Sequence, residues 1–450
     1  MKAKQLQSQK GEASSVLKEA KQGAETREEP CYRQRAEAEV WTERMLTALE
    51  NGVKGGKWYS LMDKVYAVRT LEVAWGKVER NSGSAGVDGM SCEKFRTNQS
   101  RYLLELQASL RAGSFKPEAV RRVYIPKGKG GQRPLGIPTV SDRVVQTALK
   151  MVLEPIFEKE FLPMSYGFRP GRGCKDALRE VDGLIKSGHT WVVDADLKSY
   201  FDSIPRAGLL DRVKEKIGDG RILSLLDSYL GQEIMEEMKS WVPMMGTPQG
   251  AVISPLLANL YLHPLDVMMM EMGHKMVRYA DDFVILCRNR EEAESALAKV
   301  REWTQANGLT LHPEKTHVGN CLEAGQGFEF LGYRFEAGRR GVRKKSLQSL
   351  KEKICGKTKR TRGDSLKRII EEINPILKGW FGYFKHARRT TFKEVDGFIR
   401  RRLRATLRKQ EKRPGQGRNL SDHQRWTNAF FAEQGLFTMV VAHAIASQSR

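Results

Sequence analysis

The sequence lacks what would carry a chain out of a cell or into a bilayer. Its 450 residues contain no apolar run of membrane-spanning length, and the opening Met1-Lys-Ala-Lys-Gln-Leu-Gln-Ser-Gln-Lys10 has no apolar signal core. No membrane partner and no export are expected, and the cytoplasm is the expected place of action. The six cysteines (Cys31, Cys92, Cys174, Cys287, Cys321 and Cys355) lie far apart, with no Cys-x-x-Cys pair. That disfavours a zinc module or a disulfide framework and suits a reducing compartment. Acidic charge is scarce as well: 54 Asp and Glu stand against 77 Lys and Arg, a formal net charge of +23. Such an excess favours a polyanionic partner, nucleic acid ahead of an anionic lipid surface. Residues 341–420 alone carry 25 Lys/Arg and 7 Asp/Glu, so the excess is concentrated as a footprint.

The length allows two or three domains. Residues 1–57 read as a polar, mobile tail with a short helix. From Trp41 to about Val78 apolar residues recur at helical spacing, and Leu61, Met62, Val65, Val68 and Leu71 share one face. A helix is expected near 93–110. Residues 121–127 read as a strand, and 128–138 as a Gly-rich basic hairpin. The hairpin is either an ordinary surface turn or a phosphate cradle in which glycines bring N–H groups close and Lys127 and Arg133 supply charge. Ser141-Asp142 should cap a helix whose stripe of Val144, Val145, Ala148, Leu149, Val152, Leu153 and Ile156 faces a core. The loop 165–172, which includes Arg169, either packs or stacks on a nucleic-acid strand.

A helical region spans about 208–230. Gly246-Thr-Pro-Gln249-Gly250 opens a helix over 251–270, its glycines suiting close approach to a base or sugar. A helix over 291–306 stops at Asn307-Gly308. Residues 309–316 and 328–333 look strand-like. Residues 341–413 are helical and very basic, with aromatics at 380–384, a composition that suits a groove holding a nucleic-acid backbone. A linker at 413–418 and a small helical appendage at 420–450 follow. The order implies an α+β fold, an antiparallel sheet backed by helices.

Two stretches carry the chemistry. Trp191-Val-Val-Asp194-Ala-Asp196 reads as a buried strand with its acids on one face, and Asp202 could cap the next helix. Arg278-Tyr279-Ala280-Asp281-Asp282-Phe283 reads as strand, tight turn, strand, with the Asp pair at the turn. Adjacent carboxylates repel, and hard oxygen ligands on a rigid turn suit Mg²⁺. Asp196, Asp281 and Asp282 converging at one sheet edge could hold two Mg²⁺ ions for an in-line displacement at phosphorus, in which a primer 3′-oxygen attacks and pyrophosphate leaves. Lys127 and Arg133 would hold the triphosphate, and the ring of Phe201 could exclude a 2′-hydroxyl and so favour dNTPs.

At these residues the chain resembles the reverse transcriptases encoded by bacterial group II introns. Tyr279-Ala-Asp-Asp282, Asp194-Ala-Asp-Leu-Lys-Ser-Tyr-Phe-Asp202, Gly246-Thr-Pro-Gln-Gly250 with Ser254-Pro-Leu-Leu-Ala-Asn259, and Ile125-Pro-Lys127 with Arg133-Pro-Leu-Gly-Ile-Pro138 are similar to that family's boxes. Ala85-Gly-Val-Asp-Gly89, Tyr166-Gly-Phe-Arg-Pro170, Pro313-Glu-Lys-Thr316 and Phe330-Leu-Gly-Tyr333 follow the same order.

The resemblance implies a right-hand polymerase: fingers and palm over 58–335 (with an N-terminal extension at 58–120), a basic helical thumb over 336–413, and a DNA-binding segment over 414–450. It implies catalysis by Asp196, Asp281 and Asp282, with Leu197 joining them around the metal. Lys127, Arg133, Phe201 and Gln249 would bind the nucleotide, and Tyr279, Arg169 and Gly250 the template and primer. It implies group II intron RNA, an RNA template with DNA primer, dNTPs and target DNA as partners, and action at the bacterial nucleoid. The sequence holds no Cys pairs or His-Asn-His set of a zinc-dependent endonuclease, which resembles the endonuclease-lacking, class C-like branch. Two alternatives remain open: a splicing cofactor with a minor polymerase role, or an intron-like polymerase recruited to defence or DNA repair.

Overall fold

Period-two and period-three-to-four patterns alternate along the chain and yield helices interrupted by eleven short strands among the described residues. The computed structural model describes residues 37, 39–127, 131–236, 239–242, 245–247 and 250–448. The strands are β1 (Val120–Lys127), β2 (Gly131–Ile137), β3 (Trp191–Asp196), β4 (Ile234–Glu236), β5 (Lys239–Trp241), β6 (Lys275–Tyr279), β7 (Asp282–Cys287), β8 (His317–Asn320), β9 (Phe328–Phe330), β10 (Tyr333–Glu336) and β11 (Arg339–Val342). Two compact units divide the chain. One comprises 1–163, 168–171 and 199–264, the other 164–167, 172–198 and 265–450. These units cut across the segments drawn from sequence, since 58–335 contributes to both.

In the first unit the strand order is β2-β1-β4-β5. β1 and β2 form the expected antiparallel hairpin, and β1 meets β4 in parallel. The core helix is Val140–Glu158, and all seven stripe residues named above are buried. Its N-cap is Thr139, whose hydroxyl accepts the Asp142 N–H, rather than the Ser141-Asp142 pair.

The expected tail lies largely outside the described residues, but its described part is packed. Glu43–Asn51 is a helix burying Met45, Leu46 and Leu49, and buried Trp41 donates its Nε1–H to the Met151 carbonyl at 3.0 Å. Apolar residues at 41, 45, 46 and 49 give that segment one sticky face. The single helix expected near 93–110 is two, Cys92–Thr97 and Gln99–Ala112, and the helical region expected over 208–230 consists of Arg206–Lys214 and Gly220–Leu230. Asp219 starts the last of these by accepting the Arg221 and Ile222 N–H groups.

In the second unit a four-stranded antiparallel sheet runs β6-β7-β3-β8 and a three-stranded one β11-β10-β9. The strand-like piece at 309–316 is not a strand. Pro313 brings no N–H, and the chain turns, Thr316 N–H bonding the His312 carbonyl; only a Leu197–Leu311 bridge forms there.

Three helices follow, Lys344–Lys357, Leu366–Phe384 and Arg389–Gln410. They share one apolar core with the sheet, from Val277 and Val284 through Phe330 and Tyr333 to Ile369, Leu377 and Ile399. The basic helix Arg389–Gln410 spends part of its charge internally. Buried Arg404 donates to the Trp426 carbonyl, Arg408 pairs with Asp422, and Asp396 accepts the Met439 and Val440 N–H groups. The residues expected as a linker and appendage are therefore packed onto this helix. No helix among the described residues is long and apolar enough to cross a membrane.

Candidate active site

The site is built by register. Antiparallel pairing of β3 with β7 sets Asp196 opposite Asp282, and pairing of β6 with β7 sets Tyr279 opposite Asp282. That leaves Ala280 and Asp281 as a two-residue turn, so Asp282 opens the strand instead of sharing the turn. Ala280 has φ +60°, the sign a two-residue hairpin turn demands and a side chain disfavours. Asp196, Asp281 and Asp282 are all half-buried.

Crowding shows in their protonation. Burial, then Asp194, Asp281 and Asp196, push the Asp282 carboxyl up to about 7, with Arg343 pulling the other way. Burial pushes Asp194 up to about 6, although the His317 charge and the Glu329 N–H favour its ionised form. The Lys315 ammonium forms an ion pair with Asp196, and the Asp196 carbonyl accepts the His312 N–H at 2.7 Å.

The turn is braced from behind. Arg278 and Asp266 are both fully buried and joined at 2.7 and 2.5 Å, and a third Arg278 nitrogen donates to the Ala280 carbonyl at 3.0 Å. Along the outer side of β6 the segment 164–167 adds backbone bonds: Tyr166 N–H to the Arg278 carbonyl, and Arg278 N–H to the Met164 carbonyl. Gly167 permits this approach, since a Cβ there would lie 2.2 Å from the Ala280 nitrogen. Tyr279 is half-buried, its hydroxyl held by the Cys174 thiol and pushed up to about 12.

The remaining expected site residues divide. Leu197 is buried and fixed by its bridge to Leu311. Arg133 is exposed on β2, opposite Ile125. Lys127 ends β1, its side chain lying outside the described residues, as does all of Gln249. Phe201 packs edge-on against Phe168 at 6.4 Å, and its helix is gripped by the Gly246-Thr247 turn, Thr247 N–H bonding the Phe201 carbonyl at 2.7 Å. Gly250 approaches its own chain: a Cβ there would meet the Gly136 carbonyl at 2.3 Å.

Two expectations fail. Asp202 sits inside the short helix Tyr200–Ser203, and the next helix, Arg206–Lys214, has Pro205 at its N-cap position instead. Arg169 is buried, bound to buried Glu158 at 2.6 and 3.0 Å and to the Leu162 carbonyl, so it braces the protein interior and offers no charge to a template. Sequence reasoning also passed over Lys315 as an active-site cation, although it lies in the quoted Pro313–Thr316 box. Farther along, a cavity of about 530 Å³ is lined by Arg343, Lys345, Lys353, Trp380 and Phe384, a mix of cations and rings that suits a nucleic-acid strand.

Comparison with known proteins adds a lineage. A family model described as "Reverse transcriptase (RNA-dependent DNA polymerase)" matches residues 125–335, and one described as "Group II intron, maturase-specific domain" matches 347–426. The chain is 33% identical to Protein YkfC of Escherichia coli over 294 residues, which span 57% of this chain and 76% of YkfC. It is 35% identical to the group II intron-encoded protein LtrA of Lactococcus lactis over 209 residues, 46% of this chain and 34% of LtrA. Among solved structures, a partial Cas6-RT-Cas1–Cas2 complex aligns with a TM-score of 0.34 at 24% identity, covering 55% of this chain and 41% of that one.

Proposed function

Because the chain belongs to the reverse transcriptases that carry a group II intron maturase-specific domain, we propose that it is an RNA-directed DNA polymerase which also binds a group II intron RNA and assists its splicing and mobility. The observation that carries the reading is the register placing Asp196 opposite Asp282, with Asp281 in the adjoining turn.

The residues fit divalent metal. Every donor is a hard carboxylate oxygen, and the proton pushed onto Asp282 marks negative charge that a cation would relieve. Asp196, Asp281 and Asp282 would hold Mg²⁺, as a pair of ions, with Leu197 beside them. Bound there, the metal supplies charge neutralisation for nucleotidyl transfer. The chain's own part is positioning. The Arg278 brace and the 164–167 segment hold the turn, and Lys315 balances Asp196 while the acids are not yet shared with a ligand.

Lys127, Arg133, Phe201 and Gln249 serve the incoming dNTP, and Tyr279 and Gly250 the template and primer. The basic cavity beside Trp380 suits the RNA backbone. Fingers and palm over 58–335, thumb over 336–413 and a DNA-binding segment over 414–450 divide the labour, with the nucleoid as the place of action on target DNA.

The test is extension of a labelled DNA primer on an RNA template with dNTPs and Mg²⁺, wild type beside Asp281→Ala/Asp282→Ala. Full-length product from wild type alone supports the reading. If both proteins are folded and bind RNA but neither extends, the polymerase is excluded and a folding cofactor for intron RNA takes its place.

A further inference from the structure

At the end of the β6–β7 hairpin away from Ala280–Asp281, three side chains with ligating atoms converge. His274 immediately precedes β6, Cys287 ends β7, and Glu292 lies in the first turn of the helix Arg290–Ala306. Lys275 pairs with Leu286 across the hairpin, so His274 and Cys287 are the next opposed positions at its base. One ligand atom from each of the three lies within 4.8 Å of the others.

The cluster is unsatisfied as it stands. His274 is 8% exposed, and its Nδ1 has no hydrogen-bond partner among the described residues. The nearest carboxylate oxygen, Glu292 Oε1, is 3.9 Å away, beyond hydrogen-bond reach. Cys287 is fully buried. The second Glu292 oxygen accepts the Arg288 N–H at 2.9 Å, which fixes the carboxylate as outer partners fix metal ligands. Burying an imidazole nitrogen without a partner is costly, so the arrangement suits a further ligand, one that the described residues do not supply.

We propose that His274, Cys287 and Glu292 form a site for a divalent, borderline-soft metal ion, Zn²⁺ foremost, with water completing four-coordination. Sulfur, imidazole nitrogen and carboxylate oxygen are the three donor types that Zn²⁺ takes, whereas the all-oxygen cluster at the other end of the hairpin suits Mg²⁺. On binding, the thiol gives its proton to solvent as the sulfur–metal bond forms. The ion ties the base of the hairpin to the helix that follows it. The spacing, twelve residues between His and Cys and four between Cys and Glu, matches no Cys-pair pattern, which is why composition pointed away from zinc.

The test uses the full chain, stripped with chelator, dialysed and titrated with ZnCl₂ or CoCl₂. Bound metal is counted by elemental analysis, thermal unfolding is followed, and the cobalt form is examined for a thiolate-to-metal charge-transfer band. Wild type and Asp281→Ala/Asp282→Ala are expected to bind one Zn²⁺ per chain, unfold at higher temperature with it, and show the band. Cys287→Ala is expected to lose the band and about 100-fold or more in affinity. Should Cys287→Ala fail to fold, Glu292→Gln, which keeps the side chain's shape, must still weaken zinc binding. The proposal is overturned if wild type binds no zinc, or if Cys287→Ala and Glu292→Gln bind it as wild type does.

Discussion

Arg278 and Asp266 form an ion pair with no solvent exposure on either side chain, and the same guanidinium reaches the carbonyl of Ala280 in the Ala280–Asp281 turn. A buried pair of this kind is strongly coupled. Removing one partner strands a charge at a cost of about 3–5 kcal/mol. Asp266→Asn or Arg278→Met should each lower stability by that order in chemical denaturation, and Arg278→Met/Asp266→Leu should recover much of it. In the double variant the Ala280 carbonyl still lacks its donor. Primer extension per folded molecule should therefore stay depressed after stability returns, and full recovery of both would reduce the pair to a packing feature.

Gly167 gives a sharper probe of the same turn. An alanine methyl there would lie 2.2 Å from the Ala280 nitrogen, so the turn must shift. A displacement on the order of 1 Å near reacting groups can cost about 10²-fold in rate. Gly167→Ala should lose extension by that order while RNA binding changes little. Unchanged single-turnover rates would show that the turn tolerates the shift.

Asp282 links the site to pH. Its carboxyl is raised to about 7 from an ordinary value of 3.8, so between these limits the folded state binds more protons than the unfolded one. Stability from this group is present below about pH 4 and fades as pH rises through about 7. Asp282→Asn, which carries no charge to crowd its neighbours, should raise the melting temperature of the metal-free protein at pH 8. The gain should amount to roughly 2–4 °C for each kcal/mol relieved and shrink towards pH 4. Added Mg²⁺ should narrow the gap at pH 8, and equal shifts at both pH values would contradict the assignment.

Arg169 should behave as a brace. With Glu158 it forms a buried, multiply bonded pair, so Arg169→Ala should destabilise by about 3–5 kcal/mol. The RNA affinity of the folded fraction should stay within about twofold. A variant of normal stability but weakened RNA binding would restore the template role expected from sequence.

The sequence was informative wherever the signal was local. The Asp281-Asp282 pair between apolar runs, the stripe along Val140–Glu158 and the Gly-rich hairpin of β1 and β2 each needed only neighbours along the chain to be read. What depended on pairing between distant elements was not readable. No periodicity announces that Asp266, late in one helix, meets Arg278 on β6, or that Lys315 folds back onto Asp196. The error at Arg169 has the same origin, because a loop arginine looks available until the helix carrying Glu158 is placed beside it. The break at Asn98, between Cys92–Thr97 and Gln99–Ala112, was missed for a different reason: it is a single residue wide and carries no glycine or proline to mark it.

The segment 164–167 has one more consequence. β6 is the outermost strand of its sheet, and an uncovered outer strand is a template on which another molecule's strand can grow. By laying its own backbone against β6 at Ser165 and Arg278, the chain occupies part of that vacancy. The segment that fixes the Ala280–Asp281 turn thus also covers part of an open strand edge, so weakening it should favour aggregation as well as slow primer extension.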